Sequence, residues 1–116
     1  MNAYTIPGIK TEEDIICDSF GIEKENFFSR SQARENVEAR QFFLWIKHTQ
    51  NKKRKGWDRV SRQYDDCRKK QGLPARNFSH ANVMHACNTV NDLMQTDKIF
   101  REKAETAIRN LECIQK

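Results

Sequence analysis

The sequence predicts an all-α domain of five to six helices, and three observations carry that prediction. Apolar residues recur at helical spacing along nearly the whole chain, while the alternation of a half-buried strand does not persist. The 116 residues include only four glycines and two prolines, too few turn formers for a many-stranded sandwich or barrel. Apolar residues make up 37% and charged residues 32%, which is too much large apolar side chain for disorder and enough for one modest core. Residues 1–10 read as a flexible N-terminal arm and 11–116 as the folded domain.

The elements follow in order. Thr11-x-x-Asp14 has the form of a capping box and opens a first helix through Ile15, Ile16 and Phe20, which Gly21 stops. A short turn of helix spans Glu23 to Phe28. Ser29-x-x-Gln32 reads as a second capping box opening a long helix to about His48, with Ala33, Val37, Leu44 and one side of Phe42–Ile46 buried. Residues 49–56 form a basic loop. The fourth helix sets Trp57, Val60, Tyr64 and Cys67 on one face and ends at Gln71-Gly72-Leu73-Pro74. Ser79 caps a fifth helix, stapled by Phe78 and Val83, with Ala86, Cys87, Val90 and Leu93 inward. Thr96-Asp97 opens the last helix, carrying Phe100, Ala104, Ala107, Ile108, Leu111 and Ile114.

Several functions are excluded or disfavoured. The longest apolar run, Phe42 to Ile46, falls far short of the roughly 20 residues of a membrane span. The glycines cannot supply a P-loop. Residues 1–10 carry no export signal, so the expectation is a cytoplasmic, nucleoid-associated protein whose Cys17, Cys67, Cys87 and Cys113 are reduced core thiols. His80 and His85 lie five apart and do not share a helix face as metal ligands would, and no nucleophile has a paired base. Neither a metal, a cofactor nor catalysis is therefore expected. Trp45 and Trp57 read as core or hinge packing rather than base-stacking platforms.

The net charge of +5 is unevenly placed. Between Lys47 and Arg76 stand eleven basic residues against Asp58, Asp65 and Asp66, a local balance of +8 that leaves −3 elsewhere. Such asymmetry suits a polyanion, although a hydrated surface would look similar.

Two stretches sharpen this. The segment from Arg34 to Leu44 (R-x-x-x-x-x-R-Q-x-x-x) resembles the R-x-x-x-x-x-R-Q-x-A-M-x-L signature that opens the DNA-binding domain of the bacterial replication initiator DnaA family. His80-Ala81-Asn82-Val83-Met84-His85-Ala86 is similar to that domain's D-H-[ST]-T-V-L-H-A motif. The resemblance spans roughly residues 11 to 112. It implies a Trp-repressor-like helix-turn-helix that reads duplex DNA, with Ser79, His80, Ala81, Asn82 and Arg34 at bases. Arg30, Arg40, Gln41, Lys52, Lys53, Arg54, Lys55, Arg76 and His85 would then lie at the backbone. The expected partners are double-stranded DNA and a replication protein.

Elementary chemistry points the same way. Amides at the start of the Ser79 helix suit a phosphate, and Ser79, His80 and Asn82 are short polar groups at the turn that meets base edges; Asn can pair bidentately with adenine. Arg40 has a competing reading, a structural ion pair with Glu35, Glu38 or an acid of the last helix.

The departures are specific. Ser79 replaces the family's Asp and Ala81 its Ser/Thr, so the target sequence should differ. Fifteen residues separate Tyr64 from His80, where a helix-turn-helix has a turn of about 3–4. The extra segment, residues 65–78, is expected to lengthen the fourth helix and add a basic loop of Arg68, Lys69, Lys70 and Arg76, giving the helix-turn-helix an enlarged turn. The family's ATPase domain has no counterpart in these residues, so a self-sufficient initiator is not expected. The alternative function is a protein-interaction module on the same fold that has lost DNA reading.

Overall fold

Three consecutive large apolar residues, Phe42-Phe43-Leu44, cannot share one stripe of a helix, because each step turns the helix by about 100°. The helix that carries them must be covered on more than one side, and this sets the architecture. The computed structural model describes residues 11–29, 31–50 and 57–114, without the side chains of Trp57, Asp58, His80 and Ile114. The expected arm 1–10 lies outside that range. Six helices and no strand occur among the described residues: α1 Glu12–Phe20, α2 Lys24–Phe28, α3 Arg34–Gln50, α4 Trp57–Lys70, α5 His80–Thr96 and α6 Lys98–Ile114. The all-α expectation holds.

Helix α3 is the axis. Phe42 meets Phe20 of α1 at 5.3 Å, and Phe20 meets Phe100 of α6 at 5.6 Å. Phe43 faces the other way, 5.7 Å from both Phe27 of α2 and Tyr64 of α4. Helix α5 covers the remaining side with Val83 and Val90, and the Trp45 indole N–H donates to Asn91 Oδ1 at 3.0 Å. Six of the seven phenylalanines are buried, each stabilising by about 1.5–3 kcal/mol. The stripe expected on α3 is accordingly too narrow. Ala33 is exposed and Val37 half-buried, while Asn36, Glu38, Ala39 and Arg40 are buried with the aromatic run.

Local chemistry sets the ends. The Thr11–Asp14 capping box forms as expected, with reciprocal bonds of 3.2 and 3.1 Å. At Gly21, φ +70°, the N–H of Ile22 reaches Cys17 O (3.0 Å) and that of Gly21 reaches Asp18 O (3.3 Å), a Schellman closure. Gly72, φ +77°, closes α4 the same way, Leu73 N–H to Arg68 O (3.0 Å) and Gly72 N–H to Lys69 O (2.9 Å).

The Ser29 capping box does not form. Its hydroxyl donates to Asn26 O (2.9 Å) at the end of α2 and accepts from Ser31 N–H (3.1 Å), so it is already engaged in ending one helix. Helix α3 starts later, where Ala33 O accepts from Asn36 and Val37 N–H, both 3.0 Å.

Of the thiols, Cys17 and Cys87 are buried, Cys67 is half-buried and Cys113 is exposed, so Cys113 is not the core thiol expected. Burial pushes the pKa of Cys17 and Cys67 up to about 12 and that of Cys87 to about 11.

Candidate nucleic-acid interface

The connection between α4 and α5, residues 71–79, is a held structure. Asp65, buried on α4, accepts from Arg76 N–H (2.8 Å, Oδ1) and Asn77 N–H (3.3 Å, Oδ2). Asn77 adopts φ +53°, a left-handed conformation that Asn tolerates. Arg68 Nε donates to Pro74 O (2.7 Å) and its Nη1 to Phe28 O. Phe78 packs 5.1 Å from Tyr64, against the core to which buried Val83 belongs. One expectation is therefore corrected: Arg68, Lys69 and Lys70 lie on α4 and not in a basic loop, and Arg68 is a buried strut there.

Beyond the loop, α5 begins with a second reciprocal box. Asn82 N–H donates to Ser79 Oγ at 3.1 Å, and Asn82 Oδ1 accepts from both Ser79 N–H (3.3 Å) and Ser79 Oγ–H (2.8 Å). Val83, Ala86, Cys87 and Val90 anchor the helix inward. Ala81, Met84, His85 and Asn88 are exposed at spacings of three, four and seven, one face of α5. Met84 and Asn88 were not among the residues nominated from sequence. The helical period through Ala81 and His85 could have found them. His80 is the first residue of α5, but its side chain lies outside the description.

Between α3, the loop and α5 lies a cleft of about 220 Å³. Its polar wall is Gln32, Arg40, Gln41, Arg76, Asn82 and His85, over a floor that includes Leu44 and Phe78, and among the described residues no carboxylate lines it. Five residues nominated from sequence thus meet at one place. Arg76 lies over the Phe78 ring at 5.0 Å, within cation–π range. Its Nη1 is buried and has no hydrogen-bond partner. Such a cation beside amide and imidazole donors is suited to an anion the size of a phosphate.

Arg40 is only 6% exposed. Its Nε donates to Phe27 O (3.0 Å), and its Nη2 donates to Asn26 O (3.2 Å) and Ser31 O (2.7 Å). It forms the back of the cleft, with Nε and Nη2 held by carbonyls. Burial first, then the neighbouring charges of Arg76 and Arg68, push its pKa below the ordinary guanidinium value, against an opposing effect of Tyr64. The ion pairs considered for Arg40 belong instead to Arg34. Arg34 Nε meets Glu38 at 3.0 Å and its Nη2 meets Asp97 at 2.7 Å, although the side chain stays 72% exposed. Lys47, counted in the basic stretch, pairs with Glu12 and lies 5.6 Å over Phe43. Arg59, Arg62, Lys69 and Lys70 are exposed. Arg30, Lys52, Lys53, Arg54 and Lys55 lie outside the described residues.

Among the described residues no helix is long and apolar enough to cross a membrane, and no group of three or more potential ligands could hold a metal ion. No family model matches the chain, and no solved structure matches it significantly. The chain is 30% identical over 92 residues to the chromosomal replication initiator protein DnaA of Bacteroides fragilis, which is 79% of this chain and 17% of that protein. It is 28% identical over 92 residues to the DnaA of Bacteroides thetaiotaomicron, 78% of this chain and again 17% of the relative. The likeness therefore covers most of this chain and a small part of each relative.

Proposed function

We propose that the chain binds double-stranded DNA in a sequence-dependent way. The module would be of the type found at the C-terminal end of DnaA, acting in replication initiation or its regulation, with a replication protein as a further partner. It binds and does not catalyse, and it works on the nucleoid. The observation that carries this reading is the carboxylate-free cleft beside the start of α5, where Gln41, Arg76, Asn82 and His85 converge. The partial similarity to DnaA supports it. In this reading α4 and α5 are the two helices of a helix-turn-helix with an enlarged turn. One phosphate lies against Arg76 and Gln41, and the exposed face of α5 enters the major groove. Arg34 reaches the minor groove only by leaving Glu38 and Asp97.

The test is a titration of the full chain with duplexes recovered from a random pool, at several salt concentrations. The logarithm of affinity should fall linearly with that of salt, with a slope of about −0.9 per phosphate contacted. Absence of binding, or binding indifferent to salt, overturns the proposal.

A second reading, a protein-interaction module, is favoured by one observation. A larger cleft of about 440 Å³ opens where α2 meets the end of α4, with Phe28 and Leu73 at its apolar part and Lys24 and Gln71 beside it. The two readings separate by substitution: Arg76→Ala weakens DNA binding and Leu73→Lys leaves it intact if the first holds.

A further inference from the structure

The cleft between α3, the α4–α5 connection and α5 has room and donors for more than the bridging phosphate of a duplex. Its volume of about 220 Å³ equals that of about seven water molecules. A phosphate group fits with about two or three further heavy atoms, whereas a drug-sized ligand needs about 300 Å³ or more.

Donors reach the cleft from three sides. Gln41 comes from α3, Arg76 from the connection, and Asn82 and His85 from α5. Asn82 Oδ1 already accepts from Ser79, so the group it offers the cleft is its Nδ2 donor. Arg76 rests on the Phe78 ring at 5.0 Å, and its buried Nη1 has no partner. Arg40 closes the back, and its charge and that of Arg76 repel each other. The apolar floor of Leu44 and Phe78 strengthens the pull on an anion. A bridging phosphate has two free oxygens on one side of its strand and engages only part of these walls. A terminal phosphate has three free oxygens and carries more negative charge near neutral pH.

We infer that this cleft is a receptor for orthophosphate or the terminal phosphate of a small phosphomonoester, and that filling it displaces duplex DNA. The receptor stands on the cleft alone, and the displacement rests on the DNA-binding proposal above. Arg76 supplies the charge, while Gln41, Asn82 and His85 supply hydrogen bonds. An anion there also relieves the repulsion between Arg40 and Arg76, so its binding stabilises the fold.

The test is thermal melting of the full chain at constant ionic strength, with chloride replaced by orthophosphate, glycerol 3-phosphate or dimethyl phosphate. The first two should raise the melting temperature saturably, by about 5 °C at ten times the dissociation constant. Whichever of them binds tighter identifies the source of the phosphate. Dimethyl phosphate, a diester, should bind about tenfold more weakly or worse. Arg76→Ala should abolish the rise, and Gln41→Leu should reduce it. General salt effects act on wild type and variants alike, so the difference between them is the readout. For a duplex recovered from a random pool, the same orthophosphate concentration should lower wild-type affinity about tenfold and leave that of Arg76→Ala unchanged.

A rise equal in wild type and Arg76→Ala, or a diester that binds as tightly as the monoester, overturns the receptor and leaves DNA binding standing. Duplex affinity indifferent to saturating orthophosphate overturns the displacement. A saturable rise lost in Arg76→Ala, in a chain that binds no duplex, upholds the receptor and overturns the DNA reading.

Discussion

The molecule holds arginines at two places in opposite ways. Where α3 begins beside α6, Arg34 faces two carboxylates, Glu38 and Asp97, and Asp97 also caps α6 by accepting from Phe100 N–H at 3.0 Å. Around the α4–α5 connection, Arg40 and Arg68 face backbone carbonyls of α2 and the loops, and Arg76 has a buried nitrogen with no partner at all. A carboxylate cancels a guanidinium's charge, but a carbonyl satisfies its hydrogen bonds and leaves the charge in place. The first region therefore has no excess of positive charge. The second sets three guanidinium groups against one buried carboxylate, Asp65, which is spent on backbone N–H groups, and the cleft lies there.

The contrast can be broken most forcefully at Arg40. Arg40→Met leaves three carbonyls without their charged donor and should lower unfolding free energy by about 3 kcal/mol, measured by urea denaturation. Arg34→Met should cost less, because its guanidinium is largely exposed although its partner Glu38 is buried. Equal losses would mean that the two regions are not mechanically different.

Next comes Arg76→Ala, which should weaken duplex binding about tenfold or more and reduce the salt slope by about one, with little change in stability. An unchanged slope would show that no phosphate sits against it. Asp65→Asn should weaken binding by a smaller factor. It replaces one of the two acceptors that hold residues 76 and 77, so Arg76 loses its placement but not its charge.

A smaller effect, of the opposite sign, is expected from Asp97→Asn. Asn remains a good N-cap for α6 but no longer neutralises Arg34, so duplex affinity should rise by up to about threefold. Weaker binding would show that Asp97 supports the interface instead of restraining it.

The smallest effect concerns pH and α1. Burial opposes ionisation of Asp14, but its bonds to Lys24 and Thr11 outweigh burial and hold its carboxyl below the ordinary value. The folded value lies below the unfolded one. The stabilisation is therefore present above the unfolded pKa and is lost as pH falls through the folded one, below about pH 4. Asp14→Asn should flatten the acid limb of a stability–pH curve slightly, as read by thermal melts.

Much of the fold was legible beforehand. The Thr11–Asp14 capping box and the N-cap Ser79 are local signals, though the reciprocal bond of Asn82 was not expected, and Gly21 and Gly72 mark ends that only a left-handed residue closes easily. The box expected at Ser29 failed because its hydroxyl had a nearer carbonyl at Asn26. The site was half legible. Gln41, Arg76, Asn82 and His85 could be nominated singly, but nothing in their spacing says that they line one cleft. Arg40 and Arg68 look like any surface cation until α2 is folded against them.

Sequence alone determined the all-helical composition and most of the inward faces, that of α3 excepted, because periodicity and capping act over one or two turns. It also determined the excess of positive charge between Lys47 and Arg76. Which of those charges is free to act was decided only by tertiary structure. Arg34 has one partner four residues on but the other lies 63 away, and Arg68 has one six residues on and another 40 away. Whether a guanidinium meets a carboxylate, a carbonyl or an open cleft depends on which elements pack together, and no local pattern carries that information.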